Sequence, residues 1–275
     1  MPDATDDSVV RFENVTVVFD DLKALDGISF EIRRGQTRII FGAAASGKSV
    51  MLKTALGLVR PASGRVFLFG QDITGMSEEQ MFTLRGRVGV LFQEGGLFDS
   101  LTIEENVAYP VVNRATAPEE RNGDVTNRVR EALRFVELEH TLEKVPSELS
   151  GGMRRRVGIA RAMVTEPALM LYDSPSAGLD PITANTIMAL IVKARDTRNT
   201  TIAIVTHRYQ DGHIMADFRY NPESGELEPA PRESGIQERT VFMVLRDGCL
   251  VFEGTRDELN RQHDPYVARF RITRQ

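Results

Sequence analysis

A stretch of small residues around position 45 carries the first chemistry that the sequence offers. The run FGAAASGKSV fits the pattern G-x-x-x-x-G-K-[ST] between a predicted strand and a predicted helix. Small residues let the backbone wrap around a phosphate, so that N–H groups and the positive helix end face the anion. Lys48 is expected to reach the β- and γ-phosphates, and the Ser49 hydroxyl to coordinate Mg²⁺. The predicted phosphate-binding residues are Gly42, Ala43, Ala44, Ala45, Ser46, Gly47, Lys48, Ser49 and Val50.

One residue of this loop departs from the common pattern. Ala45 stands where many such loops have an inner glycine. If the position requires a positive φ angle, the alanine side chain introduces strain there.

An acidic position follows a later apolar run. Residues 169–172 (LMLY) predict a buried strand, which Asp173 ends. A carboxylate in this place can hold Mg²⁺ through water beside Ser49. Taken alone, Asp173 would be interpreted as an acid that caps a turn, and the phosphate loop changes that interpretation. The next residue, Ser174, offers a hydroxyl directly after the carboxylate.

The stretch ELSGGMRRRVGIARAM predicts a second anion-binding helix end. Ser150 is a good N-cap residue, and Gly151 and Gly152 expose the first amides of the helix. For this segment alone, a capped helix with a solvated basic face is the alternative interpretation. A mononucleotide needs only one phosphate loop. Two such helix ends in one chain therefore indicate that each ligand lies between two copies.

The remaining pattern predicts elements that position these motifs. Alternating strands and helices from residue 37 to residue 206 predict a parallel sheet with both faces covered. Residues 76–145 are predicted to form a helical lobe, with apolar residues at helical spacing in 127–136. Residues 218–239 contain three prolines and predict a surface loop or hairpin insertion. The tail, 256–275, is short and basic, and is predicted to be helical in part.

Composition limits the class of protein. The chain has 275 residues, 41% of them hydrophobic, which suits one domain or one domain with a small lobe. A net charge of -5 argues against wholesale nucleic-acid binding. The start, MPDATDDSVV, lacks the features of a signal peptide, and no apolar run approaches the ~18 residues that cross a bilayer. If the protein works at a membrane, another chain is expected to span it.

The phosphate loop, the LSGG sequence and the strand that ends at Asp173 together resemble the ATP-binding cassette (ABC) ATPases, over about residues 9–260. The resemblance implies an α/β fold, namely a P-loop NTPase with a RecA-like core, an antiparallel β subdomain and a helical subdomain. It implies one domain (1–275), with the ATP-binding core in 9–75 and 168–260 and the helical lobe and signature in 76–167. It also implies two ATP molecules with Mg²⁺ in a head-to-tail homodimer, each between the phosphate loop of one subunit and the LSGG signature of the other.

Single residues receive their expected roles from this resemblance. Phe19 is similar to the aromatic residue that stacks on adenine. Gln93, in LFQEGG, resembles the glutamine that touches Mg²⁺ and senses the membrane partner, and His207, in IVTHR, resembles the switch histidine on the γ-phosphate. Residues 176–180 resemble the loop that contacts the opposite subunit. The implied metal set is Ser49, Gln93 and Asp173, and the implied ATP-binding signature is Ser150, Gly151 and Gly152.

The family usually has a glutamate directly after the Asp173 position, which orients and deprotonates the attacking water. Ser174 can hydrogen-bond the water, but a hydroxyl is not a useful base near neutral pH. Losing a general base costs about 10² to 10⁴ in rate. Three interpretations stay open: a slow ATPase in which His207 and Gln93 align the water, a different base such as Glu94, and a degenerate site that dimerises on ATP and barely turns over.

Two segments, FQEGGLFDSLTIEENVAYPV and LSGGMRRRVGIARAM, resemble the ATPase subunits of Mla-type importers and related MCE-associated lipid transporters. This implies a peripheral subunit at the cytoplasmic face of the inner membrane. Its implied partners are a multi-spanning permease, docked around residues 93–106, and an MCE-type substrate-binding protein, and the cargo would be phospholipid or another hydrophobic molecule. The alternatives are a soluble ABC protein acting on nucleic acid or the ribosome, which the single cassette and acidic balance disfavour, and a nucleotide-gated scaffold, which Ser174 keeps open.

Overall fold

The computed structural model describes residues 7–93, 95–113 and 125–271. Its strands are β1 (Ser8–Phe19), β2 (Leu22–Arg33), β3 (Thr37–Gly42), β4 (Ser63–Leu68), β5 (Gln71–Asp72), β6 (Val88–Leu91), β7 (Leu169–Asp173), β8 (Thr201–Thr206), β9 (Phe218–Tyr220), β10 (Leu227–Pro229), β11 (Thr240–Arg246) and β12 (Cys249–Gly254). Its helices are α1 (Lys48–Ala55), α2 (Glu78–Arg85), α3 (Ile103–Val112), α4 (Val125–Phe135), α5 (Gly151–Met163), α6 (Pro181–Arg198), α7 (Tyr209–Asp217), α8 (Ile236–Arg239) and α9 (Arg256–Asn260).

A six-stranded sheet lies at the centre of the molecule, in the order β12-β11-β3-β8-β7-β6. The five strands from β11 to β6 run parallel, and β12 pairs antiparallel with β11 at one edge. Every residue of β3, β7 and β8 is buried, because both faces of the sheet are covered. The predicted parallel sheet is therefore confirmed, and the short apolar runs 37–41 and 169–172 are its central strands.

Two apolar cores lie on opposite faces of this sheet. Alternate residues of β3 point to different cores: Ile39 and Phe41 face the core shared with α3 to α6, whereas Ile40 faces the core shared with α1 and α2. The second core is closed by an antiparallel sheet in the order β2-β1-β4-β5. In that sheet the rings of Phe12 and Phe30 stack with centroids 4.7 Å apart. This sheet corresponds to the antiparallel β subdomain that the resemblance implied.

The helical lobe is smaller than the sequence predicts. Residues 88–91 fall inside the predicted helical region 76–145, but they form β6 and pair in parallel with β7, from Val88 opposite Leu169 to Leu91 opposite Tyr172. A four-residue apolar run is too short for its periodicity to distinguish a strand from a buried helix. The helices of the lobe are α3, α4 and α5, which pack on one another.

Residues 218–239 form a hairpin followed by short helical segments. Strands β9 and β10 pair antiparallel, and a 3₁₀ turn at Arg232–Ser234 leads into α8. The hairpin lies on the C-terminal part of α6, where the Tyr220 N–H donates to Asp196 at 2.8 Å and Arg195 donates to the Phe218 carbonyl at 2.7 Å. The insertion is thus fastened to a helix of the core.

None of the helices among the described residues is both long and apolar enough to cross a membrane.

Candidate nucleotide-binding site

The carboxyl ends of four parallel strands bring the predicted site residues to one edge of the central sheet. Strand β3 ends at Gly42, β7 ends at Asp173, β8 leads directly into His207, and β6 ends two residues before Gln93. These strands are neighbours in the order β3-β8-β7-β6. In open parallel sheets, ligands bind at this carboxyl edge. The fold therefore places the phosphate loop beside the predicted metal and catalytic residues.

The phosphate loop depends on glycine at its end and contains a strained alanine. Gly47 has a φ of 100°, and a Cβ atom there would lie 2.5 Å from the carbonyl oxygen of Ala24. Ala45 has a φ of 60°, in the left-handed region that favours glycine. The expected strain at Ala45 is confirmed. A loop held in this conformation can turn its amides toward one point, which is what an anion requires.

Lys48 is buried beneath the loop that it follows. Its Nζ donates to the carbonyl oxygens of Gly42 (2.8 Å) and Ala43 (2.6 Å) and to the Ser46 hydroxyl (3.2 Å). Burial lowers the pKa of the Lys48 ammonium, and the Asp173 carboxylate opposes that shift. A buried cation inside a ring of small residues fits a polyphosphate, because a bound anion would restore the solvation that burial removes.

The Mg²⁺ ligands are few, as expected for an ion that arrives with a nucleotide. Within residues 7–93, 95–113 and 125–271, no group of three or more His, Cys, Asp or Glu side chains could hold a metal ion. Magnesium in nucleotide sites takes most of its ligands from phosphates and water, and only one or two from the protein. The half-buried Ser49 and the buried Asp173 fit that requirement. When bound, the ion supplies neutralisation of the phosphate charge.

Ser174 replaces the usual glutamate on a constrained backbone. Its φ is 50°, and its N–H donates to the Val205 carbonyl at 2.9 Å. Its hydroxyl donates to Oδ1 of Asp173 at 3.1 Å. The side chain in the place of the missing base is therefore a hydrogen-bond donor to the neighbouring carboxylate. The other candidate base, Glu94, lies outside the described residues.

The LSGG segment begins α5 as the sequence predicts. The Ser150 hydroxyl accepts a hydrogen bond from the Met153 N–H at 3.2 Å, and both Ser150 and Gly151 are exposed. Gly152 is buried, and a Cβ atom there would lie 2.5 Å from the Thr183 methyl carbon. The glycine therefore lets α5 start directly against the first turn of α6. The end of α5 is therefore exposed, as an anion-binding helix end requires.

Gln93 and the LSGG tip line the same cleft. This cleft has a volume of about 520 Å³, and Gln93, Gly151 and residues 177–179 are among its lining residues. None of the described residues that line it belongs to the phosphate loop. The described lining of this cleft therefore includes only one of the two predicted anion sites. Phe19, the predicted adenine-stacking residue, lies at the end of β1 and is 46% exposed, whereas Phe12 is 1% exposed in the core.

Two arginines of α5 that the sequence did not single out hold the loops of the site. The guanidinium of Arg155 is buried and donates to the carbonyl oxygens of Ser174 (3.2 Å) and Ala177 (3.2 Å). Arg161 donates to the two carbonyl oxygens of residues 95–96, at 2.9 and 2.8 Å, in the loop after Gln93. The only sequence signal for these contacts is a set of basic residues in an otherwise apolar helix. That signal does not reveal which carbonyls the side chains meet.

A buried carboxylate joins the strand before His207 to the loop at 176–180. Asp211 accepts hydrogen bonds from the Thr206 hydroxyl (2.6 Å) and the Ser176 hydroxyl (2.7 Å). Burial raises the pKa of Asp211, and these two hydroxyls oppose the shift. A displacement of the loop at 176–180 is therefore expected to strain the hydrogen bond between Asp211 and Thr206, and the reverse also holds.

Comparison with known proteins assigns this chain and its fold to a family. The family model described as ABC transporter matches residues 25–177, more than half of the chain. The chain belongs to the ABC transporter family. Solved ABC cassettes share its architecture, so the predicted α/β P-loop NTPase fold is confirmed. ABC ATP-binding domains are ATPases that bind ATP with Mg²⁺, which confirms the ligands that the resemblance implied.

The solved ABC structures cover almost the whole chain. One is the dimeric ATP-binding cassette MJ0796 in a post-hydrolysis state bound to ADP and Pi, with a TM-score of 0.72 and 28% identity over 90% of this chain and 98% of that one. Another is cbiO1 from Clostridium perfringens, part of the ABC transporter complex cbiONQ. Its TM-score is 0.73, with 26% identity over 97% of this chain and 100% of that one.

Curated relatives of this ABC protein are longer than the chain. The methionine import ATP-binding protein MetN of Rhizobium johnstonii is 39% identical over 78% of this chain and 58% of its own length. MetN of Mesorhizobium japonicum is 38% identical over 90% of this chain and 64% of its own length. The chain thus spans about three fifths of these relatives. Because they are named for methionine import, they give no support to the finer resemblance to Mla-type and MCE-associated lipid transporters.

Proposed function

We propose that the chain is the ATP-binding subunit of an ABC transporter, in which two copies close head-to-tail on two ATP molecules and act on a membrane permease. The observation that carries this proposal is the pairing of two separate anion-binding helix ends in one chain. One is the phosphate loop with the buried Lys48, and the other is the exposed α5 tip at Ser150 and Gly151. Both present backbone N–H groups and a positive helix end.

The presence of two such ends in one chain argues for a dimer. The α5 tip lines a cleft with Gln93 and residues 177–179, and none of the described residues that line this cleft belongs to the phosphate loop. A second copy turned by a two-fold rotation can bring its α5 tip over the phosphate loop of the first, and the same rotation completes the other site. A two-fold interface of this kind forms both sites at once.

Complementation between two inactive variants tests the head-to-tail arrangement. Lys48→Ala removes the cation of the phosphate loop, and Gly151→Asp places a negative charge where the γ-phosphate of the partner would lie. Each variant alone is expected to show no ATP-dependent dimer in light scattering. The mixture contains one intact site, formed by Lys48 of the second variant and the α5 tip of the first, and is expected to regain dimers.

The same experiment separates this arrangement from others. Gly151→Asp should still bind ATP as a monomer, because its own phosphate loop is unchanged. A mixture that stays monomeric, or a Gly151→Asp variant that dimerises like the wild type, contradicts the head-to-tail proposal.

Hydrolysis in the closed dimer is proposed to be slow. Asp173, Ser49 and Gln93 would hold Mg²⁺, and Gln93 and His207 would align the attacking water. Ser174 contributes a hydroxyl rather than a base, and that hydroxyl is engaged with Asp173. The phosphate-loop amides and Lys48 still stabilise the charge that develops on the phosphates.

The hydrogen bond between Ser174 and Asp173 also favours a second candidate, a nucleotide-gated scaffold that closes on ATP without appreciable turnover. The two functions differ in what happens to the closed dimer. A slow ATPase releases phosphate at a rate that matches dimer dissociation, whereas a scaffold stays closed until ATP is removed. Phosphate release and light scattering, followed on one sample after ATP addition, distinguish them.

An exposed aromatic groove is the proposed docking site for a permease helix. It has a volume of about 630 Å³ and is mostly apolar, with Phe82, Phe92, Tyr109 and Pro110 among its lining residues. Residues 82–92 and 109–113 supply most of this lining, rather than the 93–106 region that the sequence predicts. Arg161 lines the groove and also bonds the loop after Gln93, so a helix seated there would contact the site through one side chain.

The permease would hold the subunit at the cytoplasmic face of the membrane. Methionine is the first cargo to test, since the relatives are named for its import, and phospholipid is the second, since the two short segments resemble lipid-transporter ATPases. Proteoliposomes that contain the chain and its permease should show ATP-dependent movement of one labelled cargo and not the other. Phe92→Asp should abolish that movement while ATP binding persists.

A further inference from the structure

The C-terminal segment 264–270 reaches the phosphate loop through one side chain. The hydroxyl of Tyr266 accepts a hydrogen bond from the Ala43 N–H at 2.9 Å and donates one to the Leu245 carbonyl at 2.9 Å. Ala43 is the second residue of the phosphate loop, and Leu245 lies on β11 directly opposite Gly42. One hydroxyl therefore joins the start of the loop to the neighbouring strand.

The backbone around Tyr266 is fixed by an aspartate. Oδ1 of Asp264 accepts hydrogen bonds from the N–H groups of Tyr266 (2.8 Å) and Val267 (3.0 Å). The bond from Val267 is the main cause that lowers the pKa of Asp264. Oδ2 of the same carboxylate lies 3.4 Å from the Arg246 guanidinium, which itself lies 5.6 Å from the centroid of the Tyr266 ring. The phenol is thus held in one orientation.

A ring stack fastens the end of the segment to the strand that leads into the loop. Phe270 lies parallel to Phe41, with ring centroids 5.3 Å apart and planes inclined by 9°. Phe41 immediately precedes Gly42 on β3, and Phe270 also meets the Tyr266 ring edge-on at 5.7 Å. Two contacts on consecutive turns of the segment therefore meet the end of β3 and the start of the phosphate loop.

The backbone N–H and the carbonyl of Ala43 are each held by a different side chain. Its carbonyl accepts from Nζ of Lys48 at 2.6 Å, and its N–H donates to Tyr266. When Lys48 turns toward a phosphate, the carbonyl loses that partner. The Ser46 N–H still donates to that carbonyl at 3.3 Å, and the Tyr266 hydroxyl remains as the contact of the Ala43 N–H.

We propose that Tyr266 is a positioning residue for the phosphate loop, so that the segment 264–270 forms part of the nucleotide-binding apparatus. This inference rests on the proposed ATP site. The role requires one atom that both accepts and donates a hydrogen bond, which a phenol provides and a phenylalanine ring does not. Without the hydroxyl, the loop loses an anchor before the nucleotide arrives, and binding must then order it.

Tyr266→Phe tests this role with little change in shape, and Tyr220→Phe in the insertion is the matched control. In nucleotide-free protein, hydrogen exchange followed by mass spectrometry should be faster at residues 42–47 in Tyr266→Phe only. The Kd values for ATP and ADP should rise by up to about tenfold, the upper range of what one intramolecular hydrogen bond contributes, because the Ala43 end of the contact is exposed. Phe270→Leu, which loosens the ring stack, should move both readouts in the same direction by a smaller factor.

The outcomes separate this role from a merely structural one and from the proposed function. A lower melting temperature with unchanged exchange at 42–47 and unchanged Kd values would overturn the positioning role. If the wild type binds ATP and Tyr266→Phe binds it equally, the role of Tyr266 fails and the ATP site stands. If the wild type binds neither ATP nor ADP, the proposed function fails, and the exchange measurement still decides whether Tyr266 orders the loop.

Discussion

The phosphate loop and the loop after Asp173 start from parallel strands at the same edge of the central sheet, and each contains a non-glycine residue in the left-handed region. Ala45 has a φ of 60° and Ser174 a φ of 50°. The phosphate loop contains the buried Lys48 and the backbone N–H groups that are proposed to hold a polyphosphate. The second loop keeps its backbone geometry, held by Arg155, but it lacks the carboxylate that would deprotonate water.

The difference between the two loops predicts that nucleotide binding and nucleotide hydrolysis are affected separately within one site. Strained backbone conformations persist only where the surrounding structure enforces them, and here both loops are enforced by hydrogen bonds. Ser174 therefore differs from the family's glutamate in its side chain, while the backbone of the loop is held in place by hydrogen bonds. Binding and closure should be close to those of a complete ABC ATPase, and only the hydrolytic step should be weak.

The largest expected effect falls on the binding loop. Lys48→Ala should weaken ATP binding at least about 100-fold and abolish ATP-dependent dimerisation, since the buried ammonium is the main positive charge offered to the phosphates. Titration with a fluorescent ATP analogue and light scattering measure the two effects. Lys53→Ala, on the exposed side of α1, is the control and should behave like the wild type. Undiminished dimerisation of Lys48→Ala would contradict the assignment of the loop.

The second-largest expected effect is a gain in ATP turnover when a carboxylate is restored to the loop after Asp173. Ser174→Glu should raise ATP turnover in the assembled complex at least about tenfold, because a general base contributes about 10² to 10⁴ in rate. Steady-state phosphate release measures it, and Ser174→Gln is the control of similar size without a basic group. An unchanged rate in Ser174→Glu would point to another base or another rate-limiting step.

A smaller effect concerns strain in the phosphate loop. Ala45→Gly should raise the free energy of unfolding by up to about 1 kcal/mol, because glycine removes the cost of a left-handed alanine but adds entropy to the unfolded chain. Urea unfolding measures the change. Gly47→Ala is the opposite test, since its Cβ would meet the Ala24 carbonyl at 2.5 Å. Stability gained by Gly47→Ala would refute the conformation described for the loop.

The smallest effect is a pH dependence at the contact between loops. Burial raises the pKa of Asp211 in the folded protein, so its contribution to stability is full below the pKa of the unfolded chain, about 3.9, and declines as the pH rises through the folded pKa. Asp211→Asn does not titrate, and its oxygen still accepts from Thr206 and Ser176. The stability of the wild type minus that of Asp211→Asn should therefore fall from pH 4 upward, as measured by urea unfolding. A difference that grows with pH would contradict the raised pKa.

The sequence predicts the parts of this site that depend on local pattern. Each of these parts depends on a few consecutive residues whose chemistry follows from their spacing: the phosphate loop, the Ser150 cap and the strand before Asp173. The four-residue strand β6 escapes such a prediction, because its pairing with β7 is decided by residues about 80 positions away. The same holds for Arg155 and for Tyr266, whose partners Ser174 and Ala43 lie 19 and 223 positions distant.

Helix α6 gives the insertion at 218–239 a mechanical consequence. The helix has 18 residues and is therefore about 27 Å long. Its N-cap residue, Asp180, ends the loop expected to touch the second subunit, and near its other end the helix is fastened to the hairpin β9–β10. A helix of this length moves as a rigid unit, so that a tilt of its first turn also displaces its last turn. We therefore expect contact between the two proposed subunits to displace the hairpin β9–β10 through α6.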